Sequence, residues 1–123
     1  MLLGSMEAGG TKMVLCIGDE EQHIFERETI STTSPEETME KILAFFQGKG
    51  IRALGIGSFG PLDLNRRSST YGYITTTPKT LWRNFPLLPQ LRSALRVLVE
   101  IDTDVNAAAL SEYALGAAQG FNS

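Results

Sequence analysis

The sequence predicts an α/β domain built on a mixed sheet whose first strands are antiparallel and whose helices pack on it. Three observations carry this expectation. Strand-like segments at Leu2 to Glu7, Lys12 to Gly18 and His23 to Ile30 follow one another through short polar or glycine-rich turns. From Ser34 onward, helical and strand-like periodicities alternate, the pattern of a sheet with a parallel part and right-handed crossovers. The chain has 123 residues, 42% of them hydrophobic and 20% charged, which suits one folded domain and excludes a disordered or fibrous chain.

The opening hairpin is predicted from Ala8-Gly9-Gly10-Thr11, where glycines supply the positive backbone dihedrals that a tight turn uses. The polar run Asp19-Glu20-Glu21 marks the next turn. A helix starts after Ser34, with Pro35 at its first position and Glu37 three residues beyond the cap, the spacing of a capping box. Met39, Ile42, Leu43 and Phe46 form its apolar stripe, and Gly48 and Gly50 stop it. Ile51 to Gly57 then reads as a buried strand. Ser58 to Asn84 is loop-rich, with a short strand expected around Tyr71 to Thr75. Leu87, Leu88, Leu91 and Leu95 predict a helix starting between Phe85 and Pro89, ahead of a strand from Val97 to Ile101 and a last helix from about Val105 to Gln119.

A formal net charge of -3 gives no electrostatic reason to bind nucleic acid or an anionic membrane surface. Cys16 is the single cysteine and has no internal disulfide partner; with no spanning apolar run, a reducing cytoplasm is expected. Cys16 itself reads as a small buried hydrophobe. His23 reads as a surface histidine with no acidic cluster at ligand spacing, and Glu36, Glu37, Glu40 and Lys41 as a solvated helix face.

Four segments can carry chemistry. Glu7-Ala8-Gly9-Gly10-Thr11-Lys12 places a carboxylate at a strand end, then a turn able to aim several N–H groups, a hydroxyl and an ammonium at a phosphate. It has neither the P-loop nor the dinucleotide spacing, and an ordinary hairpin turn has the same composition. Gly55 to Asp63 runs a buried strand into a glycine-proline turn, at the strand end where open α/β sheets place ligands; a packed turn with no ligand fits it too. Ile101 to Ala109 ends a buried strand in Asp102 and Asp104, followed by Asn106 and an alanine-rich helix. Capping accounts for one acid or for Asn106, but two acids and an asparagine exceed what a cap needs. Thr75 to Trp82 is expected as an exposed loop holding the single tryptophan, which is more often a core or loop anchor than an aromatic wall of a sugar site.

In this order the motifs resemble the ROK family of sugar kinases, and most of all its bacterial fructokinase branch. The resemblance implies the actin-like, ribonuclease-H-like fold. It assigns Glu7, Gly9, Gly10, Thr11 and Lys12 to the phosphates of ATP with Mg²⁺, Gly60, Pro61, Pro78, Lys79, Thr103 and Asn106 to the sugar, and Asp104 to the catalytic base. Glu7 stands where most members have Asp, and Thr103 where most have Asn. The resemblance further implies that residues 1–123 are a single N-terminal lobe, with the second lobe and any zinc ligands lying later, and that the complete protein is a homodimer. The implied activity is ATP-dependent phosphorylation of a hexose, with D-fructose first and glucose, mannose or an N-acetylhexosamine as alternatives. A ROK repressor would carry a helix-turn-helix ahead of this fold, for which a hairpin starting at Leu2 leaves no room. A silent sugar-binding domain would have no use for Asp104 beside an intact Gly9-Gly10-Thr11 turn.

Overall fold

The computed structural model describes residues 1–21, 23–59, 61–77 and 79–103. Strands β1 (Leu2–Ala8), β2 (Lys12–Asp19) and β3 (Ile24–Ser31) form an antiparallel meander, and β4 (Ala53–Ser58) and β5 (Leu98–Thr103) extend the sheet in parallel from β1. The strand order is β3-β2-β1-β4-β5. Helix α1 (Pro35–Phe46) connects β3 to β4, and α2 (Leu87–Leu95) precedes β5. The expected mixed sheet is therefore present. The expected last helix lies outside the described residues.

Alternation along the strands decides which face the helices cover. Met6 and Ala8 of β1, Met13, Leu15 and Ile17 of β2, Leu54 and Ile56 of β4, and Val99 and Ile101 of β5 are buried in one cluster with both helices. Burying each Val, Leu, Ile or Met side chain among them contributes roughly 1.5–3 kcal/mol. The opposite face holds a smaller cluster of Leu3 and Ala53 with Leu98 packed on it. Cys16, on a strand between these faces' buried residues, is only half-buried, which corrects its expected place in the core.

Helix α1 begins as its sequence predicts, with Ser34 Oγ accepting from the Glu37 N–H at 3.3 Å. Met39, Ile42 and Phe46 face the core, joined by Phe45, while Leu43 stays on the rim. Gln47 N–H closes on Leu43 O, and Gly48 at φ 76° turns the chain away from the helix.

No strand forms at Tyr71 to Thr75. Ile74 alone makes isolated bridges, to Leu62 and to Phe85. The cause is Gly72, whose φ of 82° breaks the extended run and whose backbone lies so close to Leu88 that a Cβ would overlap its side chain. The long loop is nevertheless tied down. Arg66 donates to the buried Glu100 at 3.1 Å, and Tyr71 takes the Arg66 and Arg92 guanidinium groups at 5.7 and 5.8 Å from its ring centre.

Candidate active site

The parallel registers bring three strand ends level. Ala8 pairs with Ser58, and Ser58 with Thr103, so β1, β4 and β5 all finish in one row at one edge of the sheet. The row before it is Glu7, Gly57 and Asp102. Adjacent strands are about 4.8 Å apart, so the ends of β1 and β5 lie about 10 Å from each other, the scale of a small substrate. The glycine hairpin and the glycine-proline turn leave from this edge, and Phe59 N–H donates to Ala8 O at 2.7 Å to hold the two together. Carboxyl ends of parallel strands are where ligands of open α/β sheets sit.

The β1–β2 turn is closed by Gly9 N–H donating to Lys12 O at 3.0 Å. Neither Gly9 nor Gly10 has a left-handed φ, which corrects the expected use of these glycines. Gly9 is required for closeness instead: a Cβ there would stand 2.7 Å from the Lys12 carbonyl oxygen. The turn is braced from outside by Thr32, whose N–H donates to Thr11 O at 2.9 Å and whose Oγ1 donates to Gly9 O at 2.8 Å. Among the described residues, the Gly10 and Thr11 N–H groups donate to no protein acceptor. Glu7, Thr11 and Lys12 are exposed beside them. With Gly9, Gly10 and Val14 these residues line a depression of about 300 Å³. A larger depression of about 970 Å³ between β3 and α1 contains none of the motif residues, and size alone does not make it the site.

The loop from Thr75 to Trp82 is anchored against the same turn. Trp82 is buried as a loop anchor, its Nε1–H donates to Thr33 O at 2.9 Å, and it packs edge-to-face with Phe59 and Phe85. Thr33 follows the Thr32 that braces the hairpin, so one indole ties a distant loop to the turn. Thr77 is also buried, and its Oγ1 accepts from Lys79 N–H at 3.3 Å. Pro61 is exposed, and its carbonyl accepts from both the N–H and the hydroxyl of Thr75, at 2.9 and 3.1 Å. The Ser68 and Thr70 hydroxyls and the Asn65 N–H hold the Asp63 carboxyl below its ordinary value.

Of the residues that sequence assigns to a site, Glu7, Gly9, Gly10, Thr11, Lys12, Pro61 and Lys79 lie around this edge, and Thr103 ends β5 in its row. Gly60, Pro78, Asp104 and Asn106 lie outside the described residues. Sequence reasoning missed Thr32 and Thr33, because two threonines after a strand carry no motif and their role depends on a fold contact. It also read His23 as isolated. His23 Nδ1 lies 3.0 Å from Asp19 Oδ2 and 3.8 Å from Glu21 Oε2, because the turn folds back on itself.

The family model of the ROK family matches residues 3–123. The chain belongs to the ROK family. Fructokinase from Lactococcus lactis subsp. cremoris is 50% identical over 109 residues, covering 89% of this chain and 38% of that protein. Fructokinase from Pediococcus pentosaceus is 45% identical over 119 residues, covering 97% of this chain and 41% of that protein. Among solved structures, a ROK family glucokinase from Streptomyces griseus in complex with glucose and AMPPNP superposes with a TM-score of 0.70 at 30% identity, covering 98% of this chain and 38% of that one. The fold is that of ROK sugar kinases, the actin-like ATPase fold expected from sequence. The chain spans about two fifths of the length of these curated relatives. Among the described residues, no helix is long and apolar enough to cross a membrane.

Proposed function

We propose that this chain is the N-terminal lobe of an ATP-dependent hexose kinase that converts D-fructose to fructose 6-phosphate. The observation that carries the proposal is the level row of Ala8, Ser58 and Thr103, which gathers the glycine hairpin, the glycine-proline turn and the start of the Asp104 segment at one edge. The kinship to fructokinases at 45–50% identity supports the sugar. A glucokinase relative at 30% identity keeps glucose as the second choice.

In this mechanism the open N–H groups of Gly10 and Thr11, with the Thr11 hydroxyl and the Lys12 ammonium, bind and orient the phosphates of ATP. Glu7 is an exposed oxygen donor beside them, which fits a hydrated Mg²⁺ held jointly with phosphate oxygens. Mg²⁺, when bound, supplies charge neutralisation on the phosphates. Gly60, Pro61, Pro78, Thr103 and Asn106 hold the sugar. The sugar hydroxyl oxygen forms a bond to the γ-phosphorus, the bond from that phosphorus to the bridging oxygen of ADP breaks, and the hydroxyl proton passes to Asp104. As a carboxylate, Asp104 accepts the hydroxyl hydrogen bond before it takes the proton. The complete protein acts as a cytoplasmic homodimer, and residues 1–123 alone do not turn over, because half of the groups that position the substrates lie elsewhere.

The test is steady-state assay of the complete protein against a panel of hexoses with ATP. Fructose-dependent ADP release that prefers fructose over glucose is expected; preference for glucose overturns the sugar assignment, and no turnover with any hexose overturns the kinase. Asp104→Asn should lower kcat by about 10²–10⁴-fold with little change in sugar KM. Equal or greater damage from Asp102→Asn would move the base to Asp102.

A further inference from the structure

Family resemblance puts Lys79 with the sugar, but the geometry points to a different ligand for it: Lys79 is a second ammonium of the phosphoryl-donor site, its stem lying against Gly10 of the glycine turn. This inference rests on the kinase proposal above and assigns to that site a residue it did not hold.

Proximity is the first ground. Gly10 is the middle of the β1–β2 turn, and the stem of Lys79 lies over it. A Cβ on Gly10 would stand 3.4 Å from Lys79 Cε and 4.0 Å from Lys79 Cγ. The ammonium nitrogen is one bond beyond Cε, so its reach covers the turn whose Gly10 and Thr11 N–H groups lack protein acceptors among the described residues.

Rigidity at the base of this side chain is the second. Lys79 N–H donates to Oγ1 of the buried Thr77 at 3.3 Å, and Lys79 O accepts from Trp82 N–H at 2.9 Å. Thr77 O accepts from Arg83 Nε at 2.9 Å on the other side. Trp82 in turn bonds to Thr33, next to the Thr32 that grips Gly9 and Thr11. The backbone of Lys79 is thus locked to the hairpin through a continuous chain of hydrogen bonds, while its side chain stays exposed.

Charge is the third. Neither Lys12 nor Lys79 forms an ion pair among the described residues, whereas Lys49 and Arg66 each hold a carboxylate. Two such ammonium groups flanking open N–H donors match a polyphosphate, which offers several anionic oxygens. An uncharged sugar needs acceptors as well as donors, and an ammonium offers donors alone.

The experiment uses the complete protein with ATP and fructose. Lys79→Met should raise the ATP KM about 10–100-fold, the loss expected for one hydrogen bond to a charged group, and leave the fructose KM within about twofold. Lys79→Arg should recover most of the ATP KM. Titration of AMPPNP in the absence of sugar should show the same loss of affinity for Lys79→Met, a readout independent of turnover. A raised fructose KM with an unchanged ATP KM would overturn the inference and return Lys79 to the sugar. Unchanged constants for both would reduce it to a packing stem. Protection of the wild-type amine checks the assignment without any variant: AMPPNP should shield Lys79 from acetic anhydride, read by mass spectrometry, and fructose should not. Protection by fructose alone would also overturn it. Wild-type protein that phosphorylates no hexose yet shows AMPPNP shielding of Lys79 would sink the kinase proposal and leave the phosphate site standing.

Discussion

The turn between β1 and β2 and the turn between β2 and β3 both depend on a glycine that has no room for a side chain. A Cβ on Gly9 would lie 2.7 Å from Lys12 O, and a Cβ on Gly18 would run into His23 O. Beyond that shared device they differ. In the β2–β3 turn, Asp19 Oδ1 accepts from the N–H groups of Glu21 and His23, and Oδ2 faces the imidazole, so a side chain of the turn takes up two of its own amides. Among the described residues, no side chain does this in the β1–β2 turn. Thr32 binds its carbonyls from outside and leaves the Gly10 and Thr11 N–H groups turned to whatever approaches. A turn built to bind must be stabilised without using the donors it offers, and support from a neighbouring segment achieves that.

Matched substitutions sharpen the contrast most. In the complete protein, Gly9→Ala and Gly18→Ala should each cost about 1–3 kcal/mol of stability through backbone overlap, measured by chemical denaturation. Only Gly9→Ala should also lower kcat/KM for ATP, by about 100-fold, because it displaces the donors themselves. Comparable loss of ATP use from Gly18→Ala would erase the distinction between the turns.

Thr32→Val keeps the shape and removes one hydrogen bond to Gly9 O. The expected cost is about 0.5–1.5 kcal/mol, with a several-fold rise in ATP KM and no change in sugar KM. If stability fell and the ATP KM did not move, Thr32 would be a fold residue without influence on the site.

The smallest effect belongs to the self-satisfied turn. Removal from water pushes the Asp19 carboxyl up, but hydrogen bonds from the His23 N–H and ring and the Glu21 N–H outweigh it, and the group titrates below its ordinary 3.8. Its contribution is therefore present above the unfolded value and is lost as pH falls through the folded one. Asp19→Asn should lower the melting temperature slightly at pH 7, and the difference from wild type should shrink as pH falls below 3.8 and through the lower folded value. A difference that persists at low pH would show that the carboxylate's charge is not what closes this turn.

The elements were legible in the sequence because each is encoded within a few residues. The alternation of Met13, Leu15 and Ile17 specifies which face of β2 is buried, and Ser34, Pro35 and Glu37 announce a helix in which the Ser34 half of the capping box is observed. Gly9 was legible as a turn glycine, although closeness to Lys12 O, and not the expected positive dihedral, is what requires it. Three features were decided by the tertiary structure alone. Trp82 is the core and loop anchor that its residue type favours, but its partner Thr33 lies 49 residues earlier in the chain and no local pattern names it. Gly72 breaks the strand expected around Ile74 through its approach to Leu88, a contact no local pattern encodes. The level ends of β1, β4 and β5 follow from strand register, which the packed core sets over the whole sheet, so the row that gathers the candidate site exists only once the chain has folded.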